Sequence, residues 1–265
     1  MKYSLSNLSW GKTPIHEMLP RIKQVGFHGI EIAPTAIWPE MKSVDFLEFR
    51  KMRYLIEDNG LKVSALQSLL YGQSDYQLFS RSTWPEMKLH LEFVFSLAKT
   101  LGAEIVVFGS PRNRLKGDLS TELAHQVAAE FFASLVPSLE RNNLVMTLEP
   151  NAPEYGADYL LNYCDVLELS SLIDSPHILP QIDTGCLWMV GEDPSLAFRS
   201  HKPHHLHISN PNLGVIPGYS NFGELFNLIR DTDYEGWLVI ETLGNSGDYA
   251  IEAAEWLSHE LGKVE

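Results

Sequence analysis

Residues 145–149 read Val-Met-Thr-Leu-Glu, a short apolar run that ends in a carboxylate, and the same design recurs further along the chain. Residues 179–183 read LPQID, 204–208 HHLHI and 237–241 WLVIE, so Glu149, Asp183, His207 and Glu241 each stand at or beside the carboxyl end of such a run. Earlier in the chain lie YSLSNL from Tyr3, GIEIA from Gly29, KVSALQS from Lys62 and EIVVFGS from Glu104. Runs of this length, rich in β-branched residues and bounded by turn formers, read as strands. Eight are counted.

Longer stretches of helical period separate them. In TWPEMKLHLEFVFSLAKTLG, Met87, Leu91, Val94, Ala98 and Leu101 share one face. Thr83 and Glu86 have capping-box spacing there, and Gly102 suits the residue after the last turn. Similar patterns span Pro14 to Val25, Val44 to Asp58, Thr121 to Arg141, Ala157 to Ile173, Phe222 to Asp231 and Tyr249 to Leu261. Between strands six and seven only SLAFRS and its neighbours are present, enough for a short helix. Strict alternation of strand and helix implies parallel strands covered by helices, and eight such units close into a (β/α)8 TIM barrel. A doubly wound sheet carries a glycine-rich phosphate turn after its first strand, whereas the turn here reads LSWGKTP. The expectation is one barrel domain over residues 1–265.

Composition agrees and excludes other classes. The chain has 265 residues, 45% of them hydrophobic, which is enough for a full core and close to the roughly 250 residues of one such barrel. Twenty Lys and Arg face 34 Asp and Glu, and a net charge of −14 opposes nucleic-acid binding. Cys164 and Cys186 are too few for a disulfide framework and suit a reducing compartment. No signal-peptide core or membrane-length apolar run is present, so the expectation is a cytoplasmic protein without a membrane partner.

In a β/α barrel the chemistry gathers at the carboxyl ends of the strands. Alternation puts Thr147 on the same face as Glu149, Gln181 with Asp183, His205 with His207 and Val239 with Glu241. Polar side chains one layer down, Gln181 and His205 among them, suit the role of buttressing metal ligands. Two glutamates, an aspartate and an imidazole form a mostly oxygen donor set. Such a set favours one divalent ion of the Mn²⁺ kind, with Mg²⁺, Co²⁺ or Zn²⁺ as alternatives.

These residues also carry a resemblance. From GFHGIEIAP in the first β/α unit to PGYSNFGELFNLIRDTDYEGWLVIE near the end, the chain resembles the xylose isomerase-like barrels. It is most similar to their sugar isomerase/epimerase branch, with its ketose 3-epimerases, hydroxypyruvate isomerase and inosose dehydratase. The resemblance implies that Glu149, Asp183, His207 and Glu241 are the metal ligands. It further implies that Glu149 and Glu241 move a proton beside a metal-polarised carbonyl of a small sugar, sugar phosphate or related keto compound. Two positions depart from the family pattern. Cys186 stands where a substrate-contacting histidine is common, and Leu213 stands where the epimerases carry an arginine.

Around the mouth, Gln67 and Ser110 end strands three and four and are candidates to bind hydroxyls. Arg112 and Arg114 in GSPRNRLKG are placed either to hold a carboxylate or phosphate or to pair with surface acids. Cys186 is either a weak hydrogen-bond partner or a small buried residue. Trp10 and Trp188, with Trp38, Tyr71 and Phe108, lie near the same face and offer surfaces for sugar C–H groups. Asn7 and Glu31 point inward on alternation but serve equally well as structural residues. Endonuclease IV-type nucleases share the barrel but need three zinc ions and additional histidines, where this chain has Gln67, Gly109 or Ser110, and Cys186. An inosose-type dehydratase uses the same glutamates, and a noncatalytic sugar-binding barrel keeps the fold without the chemistry. Oligomeric state is not legible.

Overall fold

The computed structural model describes residues 1–217, 222–244 and 246–262. Eight parallel strands close into a barrel in chain order: β1 (Lys2–Ser6), β2 (Gly29–Ile32), β3 (Lys62–Leu66), β4 (Ile105–Phe108), β5 (Val145–Leu148), β6 (Ile178–Asp183), β7 (His205–Ile208) and β8 (Trp237–Ile240). Closure comes from pairing of β8 with β1, where Ile240 lies opposite Leu5. Nearly every strand residue is buried, because helices cover the outside and side chains fill the inside. The outer layer packs Leu5, Ile30, Leu66, Val106, Met146, Ile182, Leu206 and Leu238 into the main apolar core. Inside the barrel a smaller cluster of Ala65, Ile105, Val107, Trp237 and Val239 forms an apolar floor. Trp237 reaches across to β2, where a Cβ on Gly29 would lie 3.0 Å from its ring.

Register decides which side chains meet. On β6 and β7, Gln181 pairs with His205 and Asp183 with His207, so these two polar pairs form successive layers. The next steps set His207 beside Val239 and Ser6 beside Glu31.

The helix of Trp84–Leu101 ends at Gly102, whose φ of +81° is the left-handed conformation that glycine accepts freely. Its start differs from the expected capping box. Thr83 is already helical, and its hydroxyl lies 3.0 Å from the Gln77 and Ser80 carbonyls while accepting from the Gln77 N–H. The short 3-10 turn of Arg81–Thr83 feeds directly into the helix, so the cap position is bypassed. The stretch from Thr121 to Arg141 is two helices, Thr121–Ala133 and Val136–Asn142. Pro137 has no N–H to donate and its ring clashes with the carbonyl four residues back, which stops the first helix at Ala133. The stretch from Ala157 is helical only over Tyr163–Ile173, entered through Asn162, whose side chain accepts from the Asp165 N–H at 2.9 Å. Between β6 and β7 two short helices stand, Thr184–Met189 and Pro194–Ser200. Residues 218–221 of the PGYSNFGELF stretch and residues 263–265 of the expected domain lie outside the described residues.

Candidate metal centre

Glu149, Asp183, His207 and Glu241 converge at the carboxyl ends of β5 to β8, each with one donor atom within 4.8 Å of all the others. His207 is the hub. Its Nδ1 lies 2.8 Å from Glu149 Oε1, 3.0 Å from Glu241 Oε2 and 3.7 Å from Asp183 Oδ2. None of these contacts has hydrogen-bond alignment, and Nδ1 is fully buried without a hydrogen-bond partner among the described residues. A buried imidazole nitrogen ringed by three carboxylates fits a divalent cation, since an ion satisfies all four donor groups together and offsets their negative charge.

Neighbours fix the Asp183 and Glu149 carboxylates. Asp183 caps the helix that follows it: its Oδ1 accepts from the Cys186 N–H at 2.7 Å and the Ser209 hydroxyl at 2.8 Å, which leaves Oδ2 toward His207. Glu149 Oε1 accepts from Gln181 Nε2 at 2.9 Å, and Oε2 from Asn151 Nδ2 at 3.0 Å. Thr147 in turn donates to Gln181 Oε1 at 2.5 Å, so the layer below orients the amide. His205 sits one step further away. Its Nε2 contacts Glu31 Oε2 at 2.8 Å, and the other oxygen of Glu31 lies 3.0 Å from His207 Nε2, at ion-pair distance but out of hydrogen-bond line.

The charges interlock. Burial opposes protonating His207, yet the carboxylates of Glu31 and Glu241, with Asp183 and Glu149 in contact, hold its pKa well above the usual imidazole range. Burial drives Glu241 up to about 7 despite the pull of His207. Burial also acts to raise Glu31, but the His207 charge and the close contacts of both imidazoles outweigh it and set that carboxyl at about 2. His205 is lowered, chiefly by burial.

A cavity of about 190 Å³ opens above the quartet. Gln67, Ser110, Cys186 and Leu213 line it, together with Glu149, Asp183 and Glu241. Burial, then the nearby Asp183 and Glu149, push the Cys186 thiol well up, so it is a neutral group. The two arginines are elsewhere. Arg114 is wholly buried and donates to the Glu149 carbonyl at 2.8 Å, Asn151 Oδ1 at 2.9 Å and the Leu160 carbonyl at 3.5 Å. Its guanidinium ties the loop after β4 to the loop after β5 and is outside the cavity lining. Arg112 is exposed, and neither it nor the aromatic candidates line the cavity. Trp10 packs in the main core, and Trp188 lies half-buried edge-on to Phe222 at 4.9 Å. A larger open groove of about 760 Å³ around Trp237 and Lys202, at the other end of the barrel, holds none of the quartet.

Four residues not singled out for the site belong to it. Glu31 has the inward parity of its strand as the only signal. Asn151 lies two residues beyond Glu149. Gly109 leaves room for Glu149, since a Cβ there would fall 2.3 Å from Oε2. Tyr155 lines the cavity with its hydroxyl buried and without a partner among the described residues. Nothing in NAPEYG marked it.

Comparison with known proteins agrees with this architecture. A probable ketose 3-epimerase from Synechocystis sp. is 26% identical over 227 residues, covering 83% of this chain and 75% of that protein. An inosose dehydratase from Bacillus thuringiensis is 24% identical over 128 residues, 37% of this chain. The match spans 43% of that dehydratase, less than half its length. Among solved structures, a D-allulose 3-epimerase from Methylomonas sp. superposes with a TM-score of 0.80 at 15% identity, covering 98% of each chain. The profile of the xylose isomerase-like TIM barrel family matches residues 19–259, and the chain belongs to that family.

Proposed function

We propose that the chain is a divalent-metal-dependent isomerase or epimerase of a small sugar or related keto compound, with Glu149 and Glu241 as the proton-moving pair. The observation that carries this reading is the convergence of both glutamates on Nδ1 of His207, at 2.8 and 3.0 Å, from the residues that follow β5 and β8. Bound by the quartet, a cation of the Mn²⁺ kind supplies polarisation of a carbonyl, which acidifies the neighbouring C–H. The chain's own groups do the rest. Gln181 and Asn151 each hold one oxygen of Glu149, so its carboxylate meets a substrate carbon in a fixed plane. Glu241 approaches from a separate strand, which allows a proton to leave and return at different positions.

Among the described residues the cavity is lined by three carboxylates and by no Lys or Arg, which favours an uncharged keto compound over a sugar phosphate. The same balance disfavours nucleic acid. No helix among the described residues is long and apolar enough to cross a membrane. A cytoplasmic location fits the two free cysteines.

One observation favours a second reading, a dehydratase. The unpartnered Tyr155 hydroxyl in the cavity is a donor available to a departing hydroxyl, and elimination uses the same glutamates. Product analysis separates the two. The test of proton transfer is solvent deuterium entry into a panel of ketoses followed by NMR with Mn²⁺-loaded protein, alongside Glu149→Gln. Exchange in the parent and none in the variant is expected. Equal exchange in both removes Glu149 from its role.

A further inference from the structure

We infer that Glu31 is a positioning residue that dictates which nitrogen of His207 is offered to the metal. The inference rests on the quartet being a metal site. Glu31 and both histidines have no exposed surface, and the three side chains form a chain of contacts across the barrel interior from β2 to β7. Each carboxylate oxygen of Glu31 serves one imidazole: Oε2 faces His205 Nε2 at 2.8 Å and Oε1 faces His207 Nε2 at 3.0 Å. Among the described residues its ion-pair partners are these two histidines and no Lys or Arg.

The consequence lies in imidazole chemistry. A neutral imidazole carries one N–H and one lone pair, and whichever nitrogen meets an acceptor keeps the proton. With a cation held among Glu149, Asp183 and Glu241, a proton on Nδ1 is excluded, so the proton of neutral His207 is kept at Nε2, 3.0 Å from Glu31 Oε1, and the lone pair stands on Nδ1. That is the atom ringed by Glu149, Asp183 and Glu241. The opposite tautomer would aim an N–H into the three carboxylates and leave no ligand atom for a cation. His205 supports the arrangement from the other side by occupying the second oxygen of Glu31 and fixing its rotation. A carboxylate behind a metal-binding histidine commonly contributes 10–100-fold in metal affinity.

Glu31→Gln keeps the shape but has only one acceptor atom, so one of the two imidazole N–H groups meets an NH₂ group instead. The experiment measures Mn²⁺ affinity of the parent and of Glu31→Gln by the electron paramagnetic resonance signal of the free ion. It is paired with ¹⁵N spectra of the histidine rings in Zn²⁺-loaded protein. The expected result is 10–100-fold weaker Mn²⁺ binding in the variant, with a parent spectrum that shows His207 protonated at Nε2 and metal-bound through Nδ1. Equal affinity in a folded variant, or a parent His207 bound through Nε2, overturns the role of Glu31 and leaves the metal site standing. A parent that takes up neither ion overturns the proposed function and this inference with it. Should Glu31→Gln not fold, the parent spectrum decides alone.

Discussion

Gly109 and Glu149 are matched by space: a Cβ on residue 109 would fall 2.3 Å from Glu149 Oε2, well inside contact distance. The glycine after β4 therefore sets how far the Glu149 carboxylate can lean toward Asn151, which holds that same oxygen at 3.0 Å. Gly109→Ala is expected to turn Glu149 away from Asn151 and Gln181 and to weaken Mn²⁺ binding by about tenfold or more, as loss of a supporting contact does. Titration of the variant with Mn²⁺ checks this. Affinity unchanged within twofold would show that Glu149 has another route to its place.

Metal uptake is expected to depend on pH in a defined direction. In the metal-free protein the surrounding carboxylates, working against burial, hold the His207 pKa well above the imidazole range, and burial places Glu241 at about 7. A cation needs the unprotonated forms of both, so loading releases protons and apparent affinity rises as pH climbs through 7. Calorimetry in buffers of different ionisation enthalpy measures the release. No proton release at pH 7 would contradict the arrangement.

Tyr155 presents a hydroxyl to the cavity without a partner among the described residues. Removing it takes away a buried unsatisfied group, so Tyr155→Phe is expected to leave thermal stability unchanged or to raise it by up to about 1 kcal/mol. If the hydroxyl donates to substrate, KM for an exchanging ketose rises about tenfold, the loss of one hydrogen bond. Unchanged kinetics with unchanged metal content would place Tyr155 outside the substrate contacts.

Arg114 has the opposite signature. Its guanidinium is buried and serves two carbonyls and the Asn151 side chain, so Arg114→Met strands three acceptors. Destabilisation on the order of 3 kcal/mol or more is expected, read by chemical unfolding. A stable variant with selectively weakened substrate binding would restore Arg114 to the mouth of the cavity.

The barrel and the quartet were legible in the sequence for a local reason. Strand alternation and the position of each run's last residues are properties of five or six consecutive residues, so Glu149, Asp183, His207 and Glu241 announced themselves one strand at a time. What the sequence withheld depends on segments far apart. Arg114 looks like a surface cation until the Glu149 and Leu160 carbonyls are brought around it from another loop. Glu31 has inward parity, but nothing in GIEI tells that two imidazoles from β7 reach it across the barrel. Trp10 sits near the mouth in sequence yet turns into the helical layer, a choice made by packing against the main core. The break before Pro137 was a local signal, outweighed in the helical pattern by the apolar periodicity on either side of it.

The central claim is that four residues from successive strands form one metal site. It is tested most directly by the metal content of the protein after Mn²⁺ loading and desalting, with Asp183→Ala treated in parallel. Asp183 is a proposed ligand whose second oxygen is committed to Cys186 and Ser209, so its loss removes both a donor and the cap that orders the following helix. The account expects about one equivalent of Mn²⁺ in the parent and little in the variant, in line with a single closed set of four donors. Equal retention in both proteins, or none in the parent at saturating Mn²⁺, would contradict it.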